Sequence, residues 1–118
     1  MSQPLNEKDL RALAGLRRFR ATALRIAAHG RPAFFDAEDD ILRLAARSVV
    51  VNVSAAVDRL SDDFRAGFPE LPWRAIRSTR NYVAHAYDQV NDRVIWTAMC
   101  RDIPALVDRL VDFDQKDA

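Results

Sequence analysis

Apolar residues recur every three to four positions along most of this chain, the period of a helix with one buried face. The first such row is Leu10, Leu13, Leu16, Phe19, Ala23 and Ile26. Asn6 suits the N-cap ahead of it, with Asp9 in the first turn, and Gly30-Arg31-Pro32 stops it. Two rows lie side by side in the next segment: Ile41, Leu44, Ser48, Val51 and Ala55, then Leu42, Ala45, Val49, Ala56 and Leu60. The β-branched run Val49-Val50-Val51-Asn52-Val53 also fits a strand. No breaker falls between Ala37 and Ala66, so the pattern predicts a helix, with Asp36 as its cap and Asp39 in its first turn. Apolar residues on several of its faces imply burial against neighbours or against a second copy. Ser61 is the expected cap of a short extra helix over Asp62 to Ala66, and Gly67 to Pro72 the connection after it.

Pro72 suits the first position of a third long helix. Trp73, Ile76, Arg80, Val83 and Tyr87 follow in phase. Asp88 to Asn91 reads as a turn, and Asn91 or Asp92 as the cap of the last helix. Trp96, Met99, Ile103, Leu106, Leu110 and Phe113 form its buried row. Pro104 interrupts that row and removes the bond to the Cys100 carbonyl, so a kink is expected there. The fold class is therefore all-α: an antiparallel, up-and-down bundle of four main helices with a short extra helix and a proline-kinked C-terminal one. One domain over 1–118, with a core from about 6 to 113, accounts for the chain.

Composition narrows the class. Charged residues make up 30% and only 3 Gly and 5 Pro occur, which fits long helices joined by few turns. A net charge of +1 supplies no global pull toward nucleic acid, so any basic surface must be local. Arg11, Arg17, Arg18, Arg20 and Arg25 of the first helix either form such a patch or make up a solvated face. Cys100 is the single cysteine, which rules out an internal disulfide and fits a reducing compartment. Neither a membrane span nor a signal-peptide stretch is legible, so a cytoplasmic location is expected. His29 and His85 are far apart, no metal-ligand spacing is seen, and no glycine-rich phosphate loop occurs; neither metal nor cofactor is expected.

Candidate chemistry concentrates in Arg80-Asn81-Tyr82-Val83-Ala84-His85-Ala86-Tyr87. Arg80 is in phase with an apolar row and so needs a carboxylate or a phosphate. Asp58 and Asp102 are candidate internal partners. His85 fits either a helix-end surface position or a general base working near neutral pH. Asn81, one turn before it, fits a polar surface residue or a group that orients the imidazole or donates to phosphate. At about 100° per residue, positions 80 and 85 diverge by about 140° on one helix. Either the helix end unwinds near His85, or a second copy completes the site.

Arg80, four residues, His85, one residue, Tyr87 resembles the signature of the HEPN superfamily, and its surroundings resemble the HepT toxins. Phe68-Pro69-Glu70-Leu71-Pro72-Trp73, Val94-Ile95-Trp96 and Asp102-Ile103-Pro104 extend the likeness in order, from about Leu10 to Phe113. The resemblance implies a metal-independent ribonuclease of a type VII toxin–antitoxin system, working as a homodimer on RNA. Arg80, Asn81 and His85 would be catalytic. An MntA-like nucleotidyltransferase antitoxin would adenylylate Tyr87 and so block the RNA site. Relatives carry a glycine–glutamate–alanine–alanine run where this chain has Ser54-Ala55-Ala56-Val57, and a frequent glycine is Ala86. The missing carboxylate keeps a second expectation open: a non-catalytic HEPN module that serves as partner or substrate of a nucleotidyltransferase.

Overall fold

A computed structural model describes residues 5–85 and 90–116, excepting the side chains at 80, 82, 84, 85 and 112–116. Among the described residues, seven α-helical segments run in the order α1 (Glu7–Ala28), α2 (Arg31–Phe34), α3 (Ile41–Arg59), α4 (Asp62–Ala66), α5 (Trp73–His85), α6 (Asp92–Thr97) and α7 (Ile103–Lys116). A π turn, Ala98–Asp102, joins α6 to α7. The expected all-α bundle is present, with α1, α3, α5 and the α6–α7 rod as its four long members.

Helix α1 packs on α3 and on α7, and α3 packs on α5. Their shared core holds Leu13 and Leu16 of α1, Val49, Val53 and Ala56 of α3, and Met99, Val107 and Leu110 of the α6–α7 rod, all at most 4% exposed. Val49 and Val53 are helical as expected, because tertiary burial outweighs the local strand preference of a β-branched run. Leu10 departs from the expected row and is exposed. The buried face of α1 runs through Ala12, Leu13 and Leu16 instead, and its first-turn contact to the interior is Asp9.

Asn6 caps α1 as expected, its Oδ1 accepting the Asp9 N–H at 2.7 Å. The region after α1 differs from the expectation. Gly30 takes a φ of 90°, which a glycine tolerates readily, and Pro32 then lies in the first turn of the short α2 rather than only ending α1. That turn buries Phe34 fully, 4.9 Å from the Trp96 ring, and Arg43 donates to the Phe34 carbonyl at 2.7 Å. Asp36 does not cap α3. Its carboxylate accepts from the Glu38 N–H at 2.8 Å, that of Asp39 from Ile41 at 3.0 Å, and the helix starts at Ile41. Two successive Asp turns use the backbone donors that an earlier helix start would need.

Helix α3 ends at Arg59 because Leu60 turns to extended backbone (ψ 139°) and Ser61 caps α4, accepting from Phe64 N–H at 3.1 Å. Pro72 lies just ahead of α5, not inside it; its carbonyl accepts the Ile76 N–H at 3.0 Å. The connection is pinned from both sides. Trp73 Nε1 donates to the Phe68 carbonyl at 3.1 Å, and Arg109 of α7 pairs with Glu70 at 2.9 Å with its guanidinium 4.7 Å from the Phe68 ring centroid. Asn91 caps α6 through the Arg93 N–H. At the position of the expected kink, the chain widens into the π turn, and the Ile103 N–H reaches back five residues to the Ala98 carbonyl. Pro104 has no N–H to give to Cys100, and an extra residue in the turn absorbs the mismatch. Of the expected turn over Asp88 to Asn91, positions 88 and 89 fall outside the described residues.

Candidate functional site on helix α5

Three of the four expected site positions, Arg80, Asn81 and His85, share α5. Tyr87, the expected modification site, lies outside the described residues, and so do the side chains of Arg80 and His85. Asn81 is exposed. The helix is continuous through His85, so register sets positions 80 and 85 about 140° apart around its axis. The backbone is helical as far as His85, and the residues that follow, 86–89, lie outside the described residues.

The inner face of α5 is anchored by Val83, 2% exposed, and by partly buried Ile76. Ser54 of α3, 3% exposed, donates to the Ile76 carbonyl at 3.4 Å, a long bond that ties the two helices. Ser54 and Ala55 stand where the resemblance leads one to expect glycine and glutamate, and Ala55 is half-buried on α3. Of the two carboxylates expected as Arg80 partners, Asp58 meets Arg77 at 3.4 Å and Asp102 meets Arg101 at 2.9 Å; whether either also meets Arg80 lies outside the described residues.

An apolar groove of about 420 Å³ opens between α5 and α7. Its walls include Val50 and Val53 of α3, Ala75, Ile76 and Thr79 of α5, and Leu106 of α7. Thr79 sits beside Arg80 in sequence, so the groove runs alongside the motif. Val94, 52% exposed, continues this apolar surface onto α6. Pairing of α3 with α6 borders it: Arg47 binds Asp92 through both nitrogens of its fork, at 2.9–3.1 Å.

The outer face of α5 was not singled out by sequence reasoning. Arg74, Arg77, Ser78 and Asn81 are all exposed there, and α5 carries no carboxylate. The signal in the sequence is polar residues at i, i+4 and i+7, the complement of the apolar phase. The arginines of α1 are partly committed within the molecule. Arg11 pairs with Glu7 at 3.3 Å, Arg18 lies over the Phe19 ring, and Arg20 reaches Asp108 of α7 at 2.8 Å. Among the described residues, no group of three or more His, Cys, Asp or Glu side chains could hold a metal ion. No described helix is long and apolar enough to cross a membrane.

Comparison with known proteins places this architecture. The chain is 37% identical over 54 residues to a provisionally named ribonuclease HepT of Thermococcus cleftensis, covering 46% of this chain and 49% of that protein, about half its length. It is 32% identical over 81 residues to a provisionally named RNase of Caldanaerobacter subterraneus, covering 68% and 71%. A provisionally named RNase of Methanocaldococcus jannaschii is 26% identical over 66 residues, covering 56% and 61%. No solved structure matches. The family model described as ribonuclease HepT-like matches residues 10–112, from the first helix through the π turn and into the last, with the Arg80–Tyr87 motif inside the span; this chain belongs to the HepT-like ribonuclease family.

Proposed function

We infer that this protein is a metal-independent RNA endonuclease and the toxin of a type VII toxin–antitoxin pair. The observation that carries the reading is the arginine–asparagine–histidine set on one continuous helix, inside the span matched by the HepT-like family. His85 acts as the base that takes the proton from a ribose 2′-hydroxyl. The freed oxygen attacks the adjacent phosphorus, the bond to the 5′-oxygen breaks as that oxygen takes up a proton from water, and the products are a cyclic phosphate and a 5′-hydroxyl. Arg80 binds the phosphate and stabilises the charge that builds on it. Asn81 orients the imidazole or donates to the same phosphate. Because the nucleophile comes from the RNA itself, the chemistry needs no metal and no cofactor.

Register supports a homodimer as the working form. With positions 80 and 85 about 140° apart on one helix, a small target is enclosed when two copies face each other. An MntA-like nucleotidyltransferase antitoxin would neutralise the protein by adenylylating Tyr87. The added phosphate charge and bulk beside the site would compete with an RNA phosphate. A cytoplasmic location fits this reading, as does the single cysteine.

Cleavage of RNA by purified, unmodified protein in EDTA, with His85→Ala run beside it, tests the reading. Activity in the wild type that is lost in the folded variant is the expected result. Equal activity in both would overturn the assignment. The absence of the family carboxylate at Ala55 favours a second reading, a non-catalytic module recognised by a nucleotidyltransferase. Two folded, unmodified and inactive proteins would select that reading.

A further inference from the structure

We propose that the outer row of α5, Arg74–Ser78–Asn81, is a track for the sugar–phosphate backbone of single-stranded RNA leading to position 85. The proposal rests on α5 being the RNA-cleaving element and extends it from a cleavage point to a binding path.

Helical register sets the geometry. Arg74, Ser78, Asn81 and position 85 fall within about 60° of one another around the helix axis. At about 1.5 Å per residue the row is about 16 Å long, the reach of a few nucleotides of extended strand. It ends on the position that the nuclease reading makes the base. Arg77 flanks the row by about 60°, and its contact with Asp58 is long, at 3.4 Å, on a side chain that is 60% exposed.

The chemistry of the row fits a polyanion. Arg74 is the cation of the row, Arg77 flanks it, and no carboxylate lies on α5, in a chain whose net charge is only +1. Arg74, Ser78 and Asn81 have no polar partner among the described residues, whereas Arg11, Arg20, Arg43, Arg47, Arg65, Arg101 and Arg109 each have one. Cationic and neutral donors set one turn apart suit phosphate and ribose oxygens. A docked protein would favour apolar anchors, and no side chain of the row is apolar; Arg74 and Ser78 border a shallow apolar depression with Leu71, Pro72 and Trp73 at the start of α5, while Asn81, farther along, is exposed and polar. The favoured occupant is therefore RNA.

The test separates binding from cleavage. A labelled 2′-O-methyl oligoribonucleotide of about 12 nucleotides has no free nucleophile, so its affinity can be followed across salt concentrations without turnover. Arg74→Gln should make the log–log salt dependence shallower by about 0.7, the share of one phosphate contact on a single strand. The affinity advantage of the wild type over the variant then shrinks by about 2.6-fold between 50 and 200 mM salt. Arg74→Lys should retain the wild-type slope, and Arg25→Gln, an equal loss of exposed charge on α1, should leave it unchanged. On cleavable RNA, Arg74→Gln should raise KM more than it lowers kcat.

An unchanged slope in Arg74→Gln, an equal drop in Arg25→Gln, or no binding by the wild type would each overturn the track. Lost capture of a nucleotidyltransferase partner by Arg74→Gln, with its RNA slope intact, would give the row to a protein instead. Cleavage by the wild type with an unaltered slope in Arg74→Gln sinks the track and leaves the nuclease reading standing. The expected slopes without any cleavage do the reverse.

Discussion

The carboxylate of Asp9, in the first turn of α1, accepts two hydrogen bonds from Ser61, 52 residues away: the backbone N–H at 2.7 Å and the hydroxyl at 2.8 Å. Asp9 is 3% exposed, so both bonds are formed away from water. Ser61 in turn caps α4. One carboxylate thus fixes where α3 ends, where α4 begins, and how the start of α1 sits against both. Asp9→Ala leaves the Ser61 N–H without its partner and should cost about 2–3 kcal/mol of stability. Ser61→Ala keeps the backbone bond but loses the hydroxyl bond and the cap, and should cost about 1–2 kcal/mol. Urea unfolding midpoints at constant m-value provide the comparison. Equal stability in Asp9→Ala and wild type would remove this carboxylate from the account of the fold.

Arg47 and Asp92 join α3 to α6 with side chains only 16% and 21% exposed. Asp92 also stands in the first turn of α6, where a negative charge is favourable. Removing either member takes a close opposite charge from the other in a poorly solvated place. Arg47→Met and Asp92→Asn should each destabilise by about 1–3 kcal/mol, and the double variant by clearly less than their sum. A double-mutant cycle with no coupling energy would show that the pair is solvated well enough not to matter.

The helical class and most element borders are legible in the sequence because they follow from local causes. Asn6, Ser61 and Asn91 cap as their side chains dictate, and the apolar phase of Leu13, Leu16, Val49 and Val53 marks buried faces. Where reading by pattern failed, the cause was non-local or was a choice between equivalent local signals. Asp36, Asp39 and Asp40 all offer cap chemistry, and the two Asp turns use up the first two. Leu10 has the right phase but nothing to pack against, while Asp9 is buried by a partner in another part of the chain. At Pro104 the sequence predicts a disturbed helix and the structure resolves it as a π turn, a solution that depends on packing around Met99 and Ile103. Of the candidate site, helix α5 and its register are legible in the sequence; the outer polar row is not, because polar residues at helical spacing mark any solvated helix face.

Cys100 lies on the π turn, exposed as a residue. Partial desolvation pushes its thiol above the ordinary range, and the Arg31 charge draws it only part of the way back. A raised value leaves less thiolate at neutral pH. Alkylation of the native protein should therefore run more slowly than that of the unfolded chain at pH 7.5, and the gap should narrow as pH rises past the thiol's native value. The same shift makes any contribution of the neutral thiol to stability present at neutral pH and lost with increasing alkalinity. Rates that are equal in native and unfolded protein would show that the thiol is fully hydrated.

Position 85 carries the functional reading, and its substitution separates chemistry from architecture. Residue 83 anchors α5 in the core and residue 81 is exposed, so the end of the helix can lose an imidazole without losing its hold on α3. His85→Ala should remain folded, with an unfolding transition like that of the wild type, because Val83 still holds α5 to the core. Its RNA cleavage should fall by at least about 100-fold, the scale of a missing general base. His85→Gln, which keeps hydrogen-bonding capacity but cannot take up a proton near neutral pH, should be as inactive as alanine if proton transfer is the role. Substantial activity in His85→Gln would indicate that the side chain orients RNA and that the base lies elsewhere. Arg80→Ala distinguishes the remaining alternative. Loss of cleavage in a protein that keeps its unfolding midpoint assigns the guanidinium to the phosphate. A fall of several kcal/mol in stability instead assigns it to a buried ion pair, because removing one member of such a pair leaves the other uncompensated.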